Sequence, residues 1–517
     1  MDLRIRSFRQ AAFWSTAINA FSQLLSLVFS MVMAAVFGAQ ESTDVLYYCI
    51  GVFALLSGMF QAVNVSVLVP ETMRRRHQIG ELDAMAFINR FFAAFALLIA
   101  GLTAWILWNP AGTMTLISRF SAEALERNSR LVFWLLATLP LQMAAQLLLD
   151  VLVSYKFLTL PAALSCVNRI LNVAFVWLFH RQLGVLSVAL GMLLGFGLQV
   201  LFNLYLLKHI IQWNPFAWKT RVGGSVYRNI VWTEIGTLAG TLAGYLPLFL
   251  FSGFSAGALT AMNYAQKLSA VPTQLLTSQI SNVVGIKFNE LAAKRELGDM
   301  ACSFDQLCRL LVFGLMPLAF GLMLVRHEVV DILFGRGDFG PSVVAQVATL
   351  FGVLIFVLPL VAMNTMVSRY FVARQAILQA LPFQLLGGLL NAGMVFLCVS
   401  RWGVIGYPVG TLFFWILYFL ILAFAMPRLF PCVTLWPTLG SLARTVGMGG
   451  AVASVVWGIA QWMGFWAWSP WLSAFASIFL FAGLYVAMLM VFSPDRDALQ
   501  YGLSIWRQFQ RRKGERR

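Results

Sequence analysis

Four basic side chains stand inside or at the rim of long apolar runs: Arg169, Lys267, Arg369 and Arg374. A charge in the middle of a membrane span costs on the order of 2.5–3.5 kcal/mol, so it must be paired, solvated in a cavity or put to use. Cations gathered in a polar cavity bind anions. A guanidinium takes phosphate oxygens two at a time, and an ammonium binds them as a point charge. The substrate chemistry this set points to is a phosphate or diphosphate. Each residue also has a plainer reading. Arg369 and Arg374 lie near one end of their run, where a long stem reaches the surface. Arg169 and Lys267 could be satisfied by an internal acid or a backbone carbonyl. Two acids complete the set as candidates for coupling or gating. Glu234, near the start of its run, suits one of the cations as a partner, or a coupling cation as a ligand. Asp44 opens its run, where a carboxylate also favours the helix dipole.

Other site chemistries are missing from the sequence. There is no P-loop pattern, so ATP hydrolysis by this chain is not expected. The histidines His77, His180, His209 and His327 are scattered, with no HExxH, and imply no metal site. The 6 cysteines show no CxxC spacing and read as reduced packing residues. With no paired carboxylates and no nucleophile elbow, the expectation is a protein that is not an enzyme and has no catalytic residue, metal or cofactor. Any driving force would then come from the membrane potential, H+ or Na+.

The elements that must position these charges are helices in a bilayer. Hydrophobic residues make up 60% of the chain and charged residues 11%, against about half and a quarter in soluble domains. A span needs about 20 mostly apolar residues, and about fourteen such runs follow one another. They are too long for the strands of a barrel, so the fold class is an all-α polytopic membrane protein. The net charge of +16 would suggest nucleic acid on a soluble protein. Here the basic clusters at Arg4–Arg9, Arg74–Arg76, Lys219–Arg228 and Lys287–Arg295 and in the tail after Arg507 all fall on one side of an even-numbered set of spans. The positive-inside rule makes that side, and both termini, cytoplasmic, with no role for nucleic acid. The first run is too long for a signal-peptide core and reads as a retained anchor.

The chain also reads as a repeat offset by six spans. Phe37-Gly38-Ala39 closes the first run as Phe251-Ser252-Gly253 closes the seventh. Six is even, so both copies keep one orientation. The expected organisation is an N-terminal lobe over 1–208, a C-terminal lobe over 209–429, an extra span pair over 430–492 and a basic cytoplasmic tail over 493–517. Prolines 247, 272, 317, 359, 382 and 408 make the second lobe the one expected to bend. Gly236, Gly240 and Gly244 form a small-residue stripe suited to close helix contact. In the tail, Leu499, Leu503 and Trp506 at helical spacing beside basic residues suggest a surface helix on anionic headgroups.

Several segments together resemble the MurJ/MviN lipid II flippase family. Leu333-Phe334-Gly335-Arg336-Gly337-Asp338-Phe339 is similar to the family's outer loop between spans 9 and 10. Phe37-Gly38-Ala39 with Thr43-Asp44 resembles its first outer loop, Asn263-Tyr264-Ala265-Gln266-Lys267-Leu268 with Pro272 its eighth span, and Arg369-Tyr370-Phe371-Val372-Ala373-Arg374 the end of its tenth. The resemblance covers spans 1–12. It implies the fold of the multidrug/oligosaccharidyl-lipid/polysaccharide exporter superfamily, with two six-helix lobes around a central cavity and two further C-terminal helices. It also implies a lipid-linked anionic glycan as substrate, carried across a bacterial inner membrane.

The sequence departs from the family's pattern at three cationic places. Gln23 to Ser30 in span 1 carries no charge where the family has arginines, span 2 lacks the family's basic pair, and Lys267 stands where span 8 has arginine. These departures turn the substrate expectation toward another undecaprenyl-diphosphate-linked unit, of an exopolysaccharide or O-antigen, with lipid II as the alternative. The partners expected are membrane lipids, a polysaccharide polymerase and glycosyltransferases. Two further readings compete: a cation-coupled small-molecule exporter and a non-transporting scaffold of a glycan-synthesis complex.

Overall fold

The computed structural model describes residues 8–155, 157, 159–274, 278–465 and 468–492. Arg4, Arg6 and the basic tail over 493–517 lie outside the described residues. All regular structure among the described residues is helical. Packing groups the chain into two units: one comprises Met1–Asn263, Gly337–Phe339 and Gln384–Ala392, the other Tyr264–Arg336, Gly340–Phe383 and Gly393–Arg517.

The first unit holds α1 (Phe8–Phe37), α2 (Glu41–Val63), α3 (Val69–Gln78), α4 (Glu81–Trp108), α5 (Pro110–Ile117), α6 (Ala122–Arg127), α7 (Ser129–Ser154), α8 (Thr159–Leu183), α9 (Leu186–Ile210) and α10 (Gly224–Phe251). α7 packs on α9, α8 on both α1 and α9, and α10 on α2. The α2–α10 contact is reciprocal. A Cβ at Gly51 would come within 2.7 Å of Leu248, and one at Gly244 within 2.7 Å of Leu55. Of the glycine stripe on α10, Gly244 makes this close contact, while Gly240 faces open space. Between α2 and α3 the helix widens into a π turn over Asn64–Leu68. Pro70 follows at once, and it has no N–H to give the carbonyl of Ser66. In the basic cluster Arg74–Arg76, one arginine is taken up into the packing. Arg75 is only 3% exposed. It pairs with Glu71 at 2.7 Å and Asp83 at 3.0 Å, donates to Thr220 and to the Arg221 carbonyl, and lies over the Phe87 ring.

In the second unit are α12 (Ser278–Ala293), α13 (Leu297–Leu324), α14 (Arg326–Phe334), α15 (Pro341–Leu354), α16 (Val357–Ala373), α18 (Gly406–Leu429), α19 (Trp436–Met463) and α20 (Pro470–Phe492), with most of α11 (Ala258–Pro272) and both ends of α17 (Ile377–Trp402). α13 packs on α16, α19 and α20. An aromatic cluster of Phe288, Phe304, Tyr370, Phe371 and Phe430 ties α12, α13 and α16 to the turn after α18.

Among the described residues, eleven helical segments are long and apolar enough to cross a bilayer, or twelve with the α15–α16 pair, which bends by 41°. Pro359 cannot donate to the Ile355 carbonyl at that bend. The expected fourteen is not reached by this count, for two local reasons. One counted segment, Leu378–Leu429, runs for 52 residues. That is about 78 Å of helix against about 30 Å of hydrocarbon. It is α17 and α18 joined by a 3-10 turn at Gly403–Ile405, and a Cβ at Gly410 would sit 2.8 Å from the Met394 carbonyl. The segment therefore doubles back as two arms. The other reason is that α11 and α12, of 15 and 16 residues, are each too short to count alone. The share of each spanning window buried within the protein is only 17–56%. The remaining surface is apolar, which a hydrocarbon solvent tolerates and water does not.

Candidate functional site

In the first unit, Arg169 is half-buried on α8 and its Nη1 donates to the Ser22 carbonyl of α1 at 2.9 Å. A backbone carbonyl was one of the two partners expected for it. Its helix neighbours carry an uncharged polar ladder. Asn172 donates to Asn168 Oδ1 at 2.8 Å, and Asn168 donates to Gln199 of α9 at 2.7 Å. Gly195 of α9 makes room for this ladder, since any Cβ there would collide with Asn168 Oδ1. The ladder escaped the sequence reading. Its signal was present as Asn at i and i+4 around Arg169, on one face of a helix.

A buried acid also escaped it. Asp150 on α7 is 6% exposed and accepts from Asn64 at 2.8 Å and Gln146 at 3.2 Å, the first of these in the π turn. It is held by amides, with no salt bridge to a cation among the described residues. A π turn beside it fits the frequent placement of such turns at functional sites.

Asp44 is 3% exposed. α2 is capped by Gln40 and Thr43, in a reciprocal capping box. Asp44 instead caps α11. Its Oδ2 accepts from the Gly257 N–H at 2.6 Å, and its Oδ1 from the Thr260 N–H at 2.7 Å and the Thr260 hydroxyl. A carboxylate at another helix's N-terminus gains from both the free N–H groups and the dipole. The neighbouring loops close around the same place. The Asp338 N–H donates to the Ala35 carbonyl at 3.1 Å, and Gly337 has φ +63° with its α-carbon against that carbonyl, where a side chain has no space. The glycines of the first outer loop and of the Arg336–Phe339 segment thus serve loop packing. Glu234 on α10 is half-buried and hydrogen-bonds along its own helix to Thr237.

In the second unit, Lys267 is half-buried on α11, beside Gln266, whose amide donates to the Tyr407 hydroxyl. Arg369 lies a turn before the end of α16, and Arg374 is its C-cap residue, where a cation favours the helix dipole. The Arg369 stem lies against Gly285 of α12, and a Cβ there would be 3.5 Å from its Cδ. The Arg374 guanidinium sits 5.5 Å from the centre of the Phe430 ring, a cation–π distance. Arg169, Glu234 and Asp44 therefore belong to the first unit, and Lys267, Arg369 and Arg374 to the second. Among the described residues, no group of three or more His, Cys, Asp and Glu could hold a metal ion.

Comparison with known proteins places this arrangement. Solved structures similar in fold include one described as lipid II flippase MurJ in an inward closed conformation. It has a TM-score of 0.73 and 16% identity, over 92% of this chain and 99% of that one. Another is an inward-facing multidrug resistance MATE family transporter, with a TM-score of 0.62 and 14% identity, over 79% of this chain and 94% of that one. Among curated relatives, the probable lipid II flippase MurJ of Aquifex aeolicus is 23% identical over 265 residues, covering 50% of this chain and 52% of that protein. The chain thus spans about half the length of that relative. The probable lipid II flippase MurJ of Rickettsia prowazekii is 20% identical over 413 residues, covering 77% of this chain and 80% of that protein. The family model described as "Lipid II flippase MurJ" matches residues 33–484, which is most of the chain, and the protein belongs to the MurJ family.

Proposed function

We propose that this chain is a flippase of a bacterial inner membrane that carries a lipid-linked, diphosphate-bearing glycan across the bilayer, and that its substrate is lipid II. The observation that carries this reading is the family match over residues 33–484. It moves the substrate expectation away from exopolysaccharide or O-antigen units and toward the lipid II alternative. The contact between Arg169 and Ser22 supports the same choice. Span 1 lacks arginines of its own, yet Arg169 lays a guanidinium against it. A positive charge stands at span 1, delivered from α8.

The physical need is clear. A glycan headgroup has many hydroxyls, and burying each without a partner costs about 2–7 kcal/mol. A polar cavity shields the head while the tail stays in lipid, and rocking of two lobes (1–208 and 209–429) exposes it on the other face. Arg169, Lys267, Arg369 and Arg374 are the proposed ligands of the diphosphate. Moving two negative charges outward is favoured by about 4.6 kcal/mol at about 100 mV. Glu234, Asp44 and Asp150 are the acids through which H+ or Na+ would couple, with Asp44 the weakest because its oxygens are already bonded. No covalent chemistry is required of the protein.

The test is rescue of a strain depleted of its own lipid II flippase, with outer-face lipid II read by an added lipid II hydrolase. The chain should restore growth and exposure of lipid II. Lys267→Ala should abolish both at unchanged abundance. Rescue by the alanine variant would remove Lys267 from the substrate path. Surface polysaccharide export without lipid II exposure would favour the exopolysaccharide reading, which the uncharged Gln23–Ser30 segment supports. The orientation is tested by thiol labelling of intact cells. A cysteine at exposed Arg336 should react with a membrane-impermeant reagent and one at exposed Arg74 should not; the reverse result would invert the topology.

A further inference from the structure

The second unit contains a cavity of about 1180 Å³ that none of the four proposed substrate cations lines. Its walls come from the end of α13, the start of α14, the last turns of α19 and the start of α20. One face of α19 makes the room. Gly450, Ala453, Ser454, Trp457 and Gly458 recur there at helical spacing, and a Cβ on Gly458 would meet nothing within 4 Å.

The chemistry of the walls is zwitterionic. Glu328 is 7% exposed. Its Oε1 accepts from the Ser473 hydroxyl at 2.8 Å, and its Oε2 has no hydrogen-bond partner among the described residues. A buried carboxylate oxygen left so is costly, and a ligand with a charged N–H relieves it. Asp331 supplies a second acid, and Trp457 and Trp468 supply half-open ring faces that attract an ammonium. Arg326 lines the same space. It spends one donor on the Met323 carbonyl and keeps the rest of its fork for an anion.

Position selects among zwitterions. α13 ends at Leu324, α19 at Met463, and α20 starts at Pro470, so the cavity sits where apolar spans meet water. Exposed Trp462 and Trp471 mark the same level, where indoles partition. Along α20 beyond them, Leu472, Phe475 and Phe479 are exposed and apolar. We propose that this cavity binds the phosphoethanolamine headgroup of an amine-bearing phospholipid, with its ammonium at Glu328 and Trp457, its phosphate at Arg326 and its acyl chains along α20. The ammonium must carry hydrogens, because Glu328 Oε2 needs a donor. A choline headgroup has none, and a glycerol headgroup has no cation.

The experiment uses the purified, delipidated full chain in detergent. Phosphatidylethanolamine, phosphatidylcholine and phosphatidylglycerol with the same acyl chains are titrated, and binding is read by native mass spectrometry and tryptophan fluorescence. Phosphatidylethanolamine should bind at least about tenfold more tightly than the other two, a difference of about 1.4 kcal/mol. Glu328→Gln and Gly458→Leu should each reduce it to the phosphatidylcholine level at unchanged melting temperature. If Gly458→Leu lowers the melting temperature, Trp457→Leu on the exposed face replaces it and should cut the preference several-fold. Equal binding of the three lipids, or a preference that survives in the variants, overturns the proposal. So does competition by soluble phosphoethanolamine at the lipid's own potency, which would make the free headgroup the ligand. A Glu328-dependent response to Na+ alone, unaffected by lipid, would make the site a cation site and overturn it as well.

Discussion

Asp44 and Glu328 are both buried carboxylates in the first turn of a helix, one in each unit, and they end in opposite states. Both oxygens of Asp44 are engaged, by two N–H groups and a hydroxyl at the start of α11. Glu328 has one oxygen engaged, by Ser473, and the other lies in a cavity wall. The residue chemistry and helix position are the same, yet one acid is a staple and the other keeps a valence for something outside the chain. The difference teaches that a buried charge in a span says little about function until its hydrogen bonds are counted. A saturated acid is explained by structure, and an unsaturated one asks for a ligand.

The comparison can be broken most directly at Asp44. Asp44→Ala strands two N–H groups and the Thr260 hydroxyl and should cost about 3 kcal/mol, read as a fall in abundance and in melting temperature. Glu328→Gln keeps an acceptor for Ser473 and removes an ill-satisfied charge, so stability should stay within about 0.5 kcal/mol. Similar losses for both would mean that Glu328 is as structural as Asp44. The smallest effect sharpens the character of the cavity. Burial, then the charge of Arg326, hold the His327 imidazole below its usual 6.5, with Glu328 opposing. The unfolded chain then binds more protons near that pH, so the stabilising term is present above pH 6.5 and is lost as the pH falls through the folded value. Wild type should lose slightly more melting temperature than His327→Gln between about pH 7.5 and about pH 5. Equal losses would remove His327 from the titrating groups of this wall.

The solvent, the helical class and the family resemblance were legible along the chain because they rest on local quantities. Run length and apolar content report a bilayer, and short motifs such as Arg336-Gly337-Asp338 keep their order. The number of spans read along the chain, about fourteen, is not confirmed by the eleven or twelve found among the described residues. Whether 378–429 is one rod or two arms depends on Gly410 meeting Met394, a contact between distant positions. The candidate cations were also visible, since a charge in an apolar run needs no structure to be noticed.

What each charge is for was decided only by the fold. Asp44 looked like a cap for its own helix, but the free N–H groups it serves are more than 200 positions away, at Gly257 and Thr260. Arg75 sat in a run of three arginines that reads as a marker of the cytoplasmic side, and its burial depends on Asp83, Thr220 and Arg221 arriving around it. Arg169 appeared as a lone cation, and the Ser22 carbonyl that receives it belongs to another helix. Glu328 gives no signal of its own along the chain, because an unsatisfied oxygen is defined by the neighbours it lacks. Hydrophobic runs are one-dimensional and survive reading along the chain. Hydrogen-bond satisfaction is a three-dimensional count, settled when distant backbone and side-chain groups meet.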